Sequence, residues 1–323
     1  MSQIGQNIRS LRSKRLVSQE DLAETMGVTV QAISKWETEK ANPDLMLLPK
    51  LAEYFGVTID SLFHTDGEEN LLSEDSEALL EQNTNWWAGI PEADMTTTAL
   101  PRYGFFTPTE DTLCLIGDIR GKNVLELACG DGASLLWMGE KGAKELWGLD
   151  ISSAQIKRAD ASLKKNGKQA NLFVSPMELN PGLPHGYFDL VFSVYGLGWS
   201  MDLEKTIIHA ADYLKPGGRF VFSWDNPLMH CVASENGKYS FIRPYVEEQE
   251  IPFSNNGQAF HLRNRKLSTY LNCLAKHGFL IEQVVEESDY DPKEADVFQE
   301  GRIYSAGRAR YFNPAFIVKA RKL

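Results

Sequence analysis

The chain has 323 residues, 43% hydrophobic and 24% charged, with a net charge of −11 at neutral pH; this is ordinary for a folded protein of about two domains. No apolar run is long enough for a membrane span, and the first residues lack the apolar core of a secretion signal. The four cysteines, Cys114, Cys129, Cys231 and Cys273, are too scattered for metal-ligand pairs, so reduced thiols, no bound metal and a cytoplasmic location are expected.

From Ile4 to Phe63 the apolar residues keep helical spacing: Ile4, Ile8, Leu11; Leu22, Ala23, Met26; Val30, Ile33, Trp36; Leu47, Leu48, Leu51, Phe55; and Ile59, Leu62, Phe63. This spacing predicts five short helices. Ser18 followed by Asp21 resembles a capping box, Gly27 supplies a turn, and Thr29 caps the next helix. Two short helices around a glycine turn form a helix-turn-helix signature. The segments Ser18-Gln-Glu-Asp-Leu-Ala, Gly27-Val-Thr, Gln31-Ala-Ile-Ser-Lys-Trp-Glu37 and Asn42-Pro-Asp resemble the Cro/repressor-like (XRE) family. The resemblance implies DNA as a partner. Gln19 would contact a phosphate, while Thr29, Val30, Gln31, Ser34 and Lys35 would face the major groove, with Gln31 suited to a bidentate adenine contact. Ile33 and Trp36, on the opposite face, belong to the core. Glu39 stands where the family frequently has glycine.

Residues 1–64 carry seven basic and eight acidic side chains, with Arg9, Arg12, Lys14 and Arg15 clustered on and after the first helix. So few phosphate partners predict weak, salt-sensitive binding by one copy and a homodimer on DNA. Residues 65–81 hold seven acidic residues and no Lys or Arg, which reads as a solvated linker, helical around Glu74–Glu81. The expected organisation is an all-α DNA-binding domain at 1–64, an acidic linker at 65–84 and a larger α/β domain at 85–323.

In the larger domain, strands and helices alternate from residue 123 to about 224, which predicts a parallel sheet covered on both sides. An apolar strand breaks into Ala128-Cys-Gly130-Asp-Gly132, a helix follows over Ala133–Lys141, and Leu146-Trp-Gly-Leu149 leads to Asp150. Glycines let a ligand touch main chain, and a carboxylate at the end of the second strand suits ribose hydroxyls. Glu126 would repel a pyrophosphate; it suits a cationic ligand. A helix over Leu267–Lys276, a strand over Phe279–Glu287 and a final strand over Ala315–Ala320 close the chain.

Glu126-Leu-Ala-Cys-Gly-Asp-Gly132, Gly148-Leu-Asp-Ile-Ser152, Phe188-Asp-Leu-Val-Phe-Ser193 and Leu214-Lys-Pro-Gly-Gly-Arg-Phe-Val-Phe-Ser223 resemble, in order, the motifs of class I S-adenosylmethionine-dependent methyltransferases. The resemblance spans roughly residues 110–323 and implies a Rossmann-like fold: a mostly parallel seven-stranded sheet with an antiparallel last strand. It implies S-adenosylmethionine as cofactor, with Glu126 at its amino end, Ala128, Gly130 and Gly132 beneath it, Asp150 on the ribose and Ile151 against the adenine. Met177 stands where an aspartate is frequent, with Glu178 one residue later as a substitute, and Ser193, which ends the fourth strand, is counted among the cofactor-binding residues. Ala128 replaces a usual glycine, which is tolerable at negative φ and strained otherwise.

Tyr195, Trp199, Trp224, Asp225, Asn226 and His230 follow the fourth and fifth strands, where open α/β sheets bind ligands, and are read as acceptor-side residues. His230 is the candidate general base. Trp86, Trp87, Tyr103 and residues 225–263 are expected to roof the pocket. The turn Ser193-Val-Tyr-Gly196 lacks the Pro-Pro-aromatic pattern of enzymes that methylate exocyclic base amines, and no cysteine follows a proline. Residues 82–323 carry 26 basic and 29 acidic residues, so a small-molecule acceptor is favoured over nucleic acid. The alternative is a transcriptional regulator whose methyltransferase fold senses S-adenosylmethionine or another metabolite without turnover.

Overall fold

The computed structural model describes residues 4–14, 17–38, 40–55, 59, 62, 74–89, 98–255 and 258–323. Arg15, Glu39, Phe63 and the acidic residues Asp66, Glu68 and Glu69 lie outside the described residues. The chain divides into two compact units, Met1–Leu71 and Leu72–Leu323. Among the described residues no helix is long and apolar enough to cross a membrane.

The first unit is helical: α1 (Ile4–Lys14), α2 (Gln19–Met26), α3 (Val30–Glu37), a 3₁₀ turn at Leu45–Leu47 and α4 (Leu48–Phe55). Its core is built on Ile8, Leu22, Ile33 and Leu51, all fully buried, with Trp36 5% exposed. The capping box forms: Ser18 Oγ accepts from Asp21 N at 3.0 Å and Asp21 Oδ2 from Ser18 N at 3.3 Å. Gly27 closes α2 at φ 75°, and Thr29 Oγ1 accepts from Ala32 N at 3.2 Å to start α3.

The second unit is a seven-stranded sheet in the order β10-β11-β5-β4-β1-β2-β3. These strands are β1 (Asn123–Leu127), β2 (Glu145–Asp150), β3 (Asn171–Val174), β4 (Phe188–Val194), β5 (Leu214–Asp225), β10 (Phe279–Val285) and β11 (Ala315–Lys322). Pairs from β3 through β5 are parallel, and β11 runs antiparallel to both β5 and β10. Helices Ala133–Glu140, Ser153–Lys165, Leu203–Tyr213 and Leu267–Lys276 cover the faces, and β1, between β4 and β2, is buried along its whole length.

Residues 225–263 add two hairpins, β6 (Val232–Glu235) with β7 (Lys238–Phe241) and β8 (Gln249–Asn255) with β9 (Gln258–Asn264). The helix Glu74–Gly89 belongs to this second unit and packs on β9, so half of the segment read as solvated linker is part of the folded unit. Asn83 is the reason: its Nδ2 donates to His261 O at 3.0 Å and its Oδ1 accepts from His261 N at 2.8 Å. The amide satisfies an edge-strand peptide as another strand would.

Candidate active site

The cofactor loop begins where β1 ends. Ala128 (φ 58°), Gly130 (φ 51°) and Gly132 (φ 79°) are all left-handed, so the chain turns back on itself within five residues. Ala128 holds a conformation that L-residues adopt at a cost of about 1–2 kcal/mol; the strained alternative for this substitution is the one observed. Cys129 N donates to Leu149 O at 2.9 Å and pins the loop to β2. Gly148 makes room for this, because a Cβ there would lie 2.9 Å from Cys129 Sγ.

Asp150 fixes the same loop: its Oδ2 accepts from Gly130 N at 2.9 Å and its Oδ1 from Ser152 N at 2.8 Å. Each oxygen keeps a further lone pair for a ligand hydroxyl. Burial raises the Asp150 carboxyl above its ordinary range against these two bonds. Glu126 is 3% exposed, and its Oε2 has no hydrogen-bond partner among the described residues. Burial, with the charges of Asp131 and Asp150 adding, holds its carboxyl well above the ordinary range, while a hydrogen bond from Ser134 opposes. A buried carboxylate oxygen without a partner calls for a cationic hydrogen-bond donor. This is the end a ligand ammonium fits.

Glu126, Ala128, Gly130, Asp150 and Ile151 line one cavity of about 570 Å³, as do Met177 and Glu178. Glu178 has spent one oxygen on Met201 N at 2.6 Å, and burial raises its carboxyl. Two expected cofactor residues are elsewhere. Gly132 packs on the next helix, where a Cβ would stand 2.9 Å from Ala159 Cβ, and Ser193 is fully buried beneath Gly196, away from the cavity lining.

On the acceptor side Tyr195, Trp199, Trp224, Asp225 and His230 line the same cavity. Asn226 does not: its Nδ2 donates to Glu286 Oε1 at 3.1 Å and its Oδ1 accepts from Leu228 N at 3.1 Å. Tyr103 is also absent from the lining; it is core, and its hydroxyl donates to Glu110 Oε2 at 2.7 Å. Trp86 and Trp87 do form a wall. Trp86 stacks on Phe260 with centroids 4.0 Å apart, and Trp87 meets Trp199 edge-on at 5.3 Å. Two glycines give rings their places: a Cβ on Gly198 would fall 1.7 Å from Trp224 Cε2, and one on Gly104 1.9 Å from Tyr195 Cε2.

At the far end, Asp225 accepts from the Tyr304 hydroxyl at 2.9 and 2.8 Å, and its Oδ2 lies 3.2 Å from His230 Nε2. Burial and the Asp225 charge hold the Tyr195 and Tyr304 phenols well above their usual value. Phe105, Gln155, Phe253, Phe260 and Tyr304 line the cavity without having been singled out in the sequence. The alternation in β8 and β9 pairs Phe253 with Phe260 and was a usable signal; Phe105 and Tyr304 sit in irregular segments that offer none.

In the first unit, Thr29, Val30, Gln31 and Lys35 are exposed on or just before α3 and Ser34 is half-buried. Gln19 is half-buried, and its Nε2 donates to Glu37 Oε2 at 2.7 Å. Arg12, grouped in the sequence with surface cations, also points inward: its Nε and Nη2 reach Glu37 Oε1 and Oε2 at 2.6 and 3.0 Å.

A family model described as a methyltransferase domain matches residues 125–222, and one described as helix-turn-helix matches residues 8–62. The aklanonic acid methyltransferase of Streptomyces sp. (strain C5) is 32% identical over 170 residues, 50% of this chain and 74% of that protein. An HTH-type transcriptional activator of Enterococcus faecalis is 33% identical over 105 residues, 32% of this chain and half of that protein. The crystal structure of an S-adenosylmethionine-dependent methyltransferase from Mesorhizobium loti superposes with a TM-score of 0.52 at 26% identity, covering 66% of this chain and 96% of that one. With the sheet order, the loop that Asp150 ties down and the buried Glu126 all in place, the chain belongs to the S-adenosylmethionine-dependent methyltransferases, here with an XRE-type helix-turn-helix domain at its N-terminus.

Proposed function

We propose that the protein methylates a small-molecule acceptor inside the cavity of its second unit and binds DNA through its first, where it regulates its own gene or neighbouring genes as a homodimer. The observation that carries the enzymatic reading is continuity: the loop held by Asp150 and the aromatic chamber around Trp199 and Trp224 are one cavity. S-adenosylmethionine supplies an electrophilic methyl group on a sulfonium centre. Glu126 holds the amino end by charge, Asp150 takes the ribose hydroxyls, and Ile151 and Met177 pack on the base. Tyr195 and Trp224 set the acceptor's floor, and the tryptophans of the helix Glu74–Gly89 keep water out. Holding donor and acceptor in line is worth about 7–11 kcal/mol, so no covalent residue is required.

The acceptor reading is supported by the apolar ring walls and by the acidic balance of residues 82–323, which does not suit a polyanion. The relative from Streptomyces is named for a small organic acceptor. On the DNA side the support is the exposed polar set on α3, with Gln31 and Lys35 foremost.

Calorimetry with S-adenosylmethionine tests the first part. Binding should weaken at least tenfold, about 1.4 kcal/mol, in Asp150→Ala. Incubating the protein with methyl-labelled S-adenosylmethionine and a cell extract should then place label in the low-mass fraction; label in nucleic acid or protein would refute the small-molecule acceptor. Selection of bound duplexes from a random pool tests the second part, with Gln31→Ala expected to relax the preference at one adenine.

A further inference from the structure

Charge is unevenly spread over residues 82–323. Residues 140–168 hold seven of the 26 basic side chains in that span but only four of the 29 acidic ones. One of those four, Asp150, is buried in the cofactor loop. The rest of the span carries 19 basic and 25 acidic residues, so a positive surface is set into an otherwise negative one.

The fold gathers these cations. Lys157 with Lys164, and Arg158 with Lys165, stand seven residues apart on the helix Ser153–Lys165. They form two rows along the side away from its buried Ala159 and Leu163. Lys157, Lys164 and Lys165 are exposed and Arg158 is half-buried. Lys144, Lys164 and Lys168 line one recess of about 440 Å³, where Lys168 Nζ donates to Gly139 O at 2.8 Å. Lys164 meets Asp160 at 2.7 Å and Lys144 meets Glu145 at 3.8 Å, with the lysine side chains 66% and 65% exposed. Such surface pairs are weak enough to yield to a stronger anion. Lys164 and Lys165 also suit the C-terminal end of their helix, but Lys144 and Lys157 have no such role.

The recess lies at the opposite end of the sheet from the cavity. Lys144 immediately precedes β2 and Lys168 comes three residues before β3, at the N-terminal ends of parallel strands. The cofactor loop, Asp150 and Ser175 stand at or after the C-terminal ends. A polyanion docked at the recess therefore does not reach the methyl donor. Lysine is a compact charge without the planar fork that reads base edges, so the surface fits phosphates in a row and carries no sequence preference. The first unit lacks such contacts of its own: Arg12 is committed to Glu37, whose side chain is 2% exposed, which withdraws one of its few cations from any phosphate. Two contacts on one chain reinforce each other through effective concentration.

We propose, on the reading that the first unit binds DNA, that this lysine surface of the second unit is a further DNA contact, which holds phosphates flanking the site that α3 reads.

The test uses the full chain and two duplexes: the site selected by the wild type, trimmed to its ends, and the same site with two helical turns of arbitrary sequence on each side. The wild type should bind the longer duplex at least about tenfold more tightly. Its plot of log affinity against log salt should be steeper there by about 2 or more, at roughly 0.9 per added phosphate contact. Changing Lys144, Lys157, Lys164 and Lys165 together to Gln should remove both gains, while affinity for the trimmed duplex stays within about twofold of the wild type. Affinity for S-adenosylmethionine should also stay within about twofold, as a check that the second unit is folded. The same four positions changed to Arg should keep both gains. Equal affinity and slope of the wild type on the two duplexes, or gains that survive the change to Gln, overturn the proposal and leave the first unit's DNA binding standing. Failure of the wild type to bind either duplex overturns the DNA reading beneath it as well. Flanks without effect, together with binding to phosphatidylserine vesicles that the change to Gln abolishes, would assign the surface to a membrane and overturn the DNA contact.

Discussion

Glu126→Gln should stabilise the unliganded protein and weaken its cofactor binding. In the wild type the carboxyl is 3% exposed and one oxygen has no partner among the described residues. Burial, then the nearby Asp131 and Asp150 charges, raise it well above the ordinary carboxylate value of 4.5. The folded protein thus holds a proton that the unfolded chain has released, in the window between that ordinary value and the raised one. Stability must fall as pH rises through this window, by up to about 1.4 kcal/mol per pH unit for one proton. Glutamine has nearly the same shape and no charge, so the variant should lack this slope and should be the more stable of the two proteins above the window. Binding runs the other way. A charge-assisted hydrogen bond to an ammonium contributes about 1.5–3 kcal/mol, so the variant should bind S-adenosylmethionine roughly tenfold to a hundredfold more weakly. Binding by the wild type at the acid end of the window should also release a proton, visible as a calorimetric enthalpy that varies with the buffer. Urea unfolding across pH, with titrations in two buffers, measures all of this. A variant that is less stable at every pH, or that binds as tightly as the wild type, would refute the assignment of Glu126 to a cationic group.

The remaining predictions concern the ring wall and the first unit. Gly198→Ala drives a methyl into Trp224, which stands 1.7 Å from the added carbon; the expected overpacking is about 1–3 kcal/mol. Label transfer should fall at least tenfold, while S-adenosylmethionine affinity changes by less than about threefold because the cofactor loop is untouched. Equal loss of both would mean that Gly198 supports the whole cavity. Arg12→Ala strands the Glu37 carboxylate, whose side chain is 2% exposed, and should cost about 3 kcal/mol or more in the first unit. Burial works against the Glu37 charge, but hydrogen bonds from Arg12 and Gln19 bring its carboxyl below the ordinary value. The pair's contribution is therefore present above that value and is lost as pH falls through the lowered one. Hydrogen exchange of α1, α2 and α3 in the full chain should show the loss, and the double change Arg12→Met with Glu37→Leu should restore much of it.

The sheet was legible because its strands carry dense apolar runs that stop at glycine turns. The order of β1, β2, β4 and β5 follows from βαβ connections that allow few arrangements. Glu126 was legible for a different reason: a carboxylate in an apolar strand contradicts its surroundings, and such contradictions mark function. The pairing of Gln19 and Arg12 with Glu37 was hidden because it spans 18 and 25 residues and local spacing carries no sign of it. Gly132 lay in a cofactor motif yet serves helix packing against Ala159. A glycine motif reports where side chains are excluded, not which neighbour excludes them. Asn83 was hidden for a similar reason, since its amide bonds a strand edge 178 residues ahead. Tyr304 and Phe105 come from segments without periodicity, and only the folded chain brings them together at Asp225.

The cavity draws its two halves from different parts of the fold. The lining residues assigned to the donor sit at the ends of β1, β2 and β3, fixed by parallel pairing, while Trp86, Phe253, Phe260 and Tyr304 come from elements outside the sheet. The two halves can therefore diverge at different rates: a new acceptor is reached by exchanging a hairpin or an excursion while the donor half keeps its register. Relatives that share the β1 and β2 motifs are free to act on unrelated compounds, so likeness in the donor half alone does not fix the acceptor.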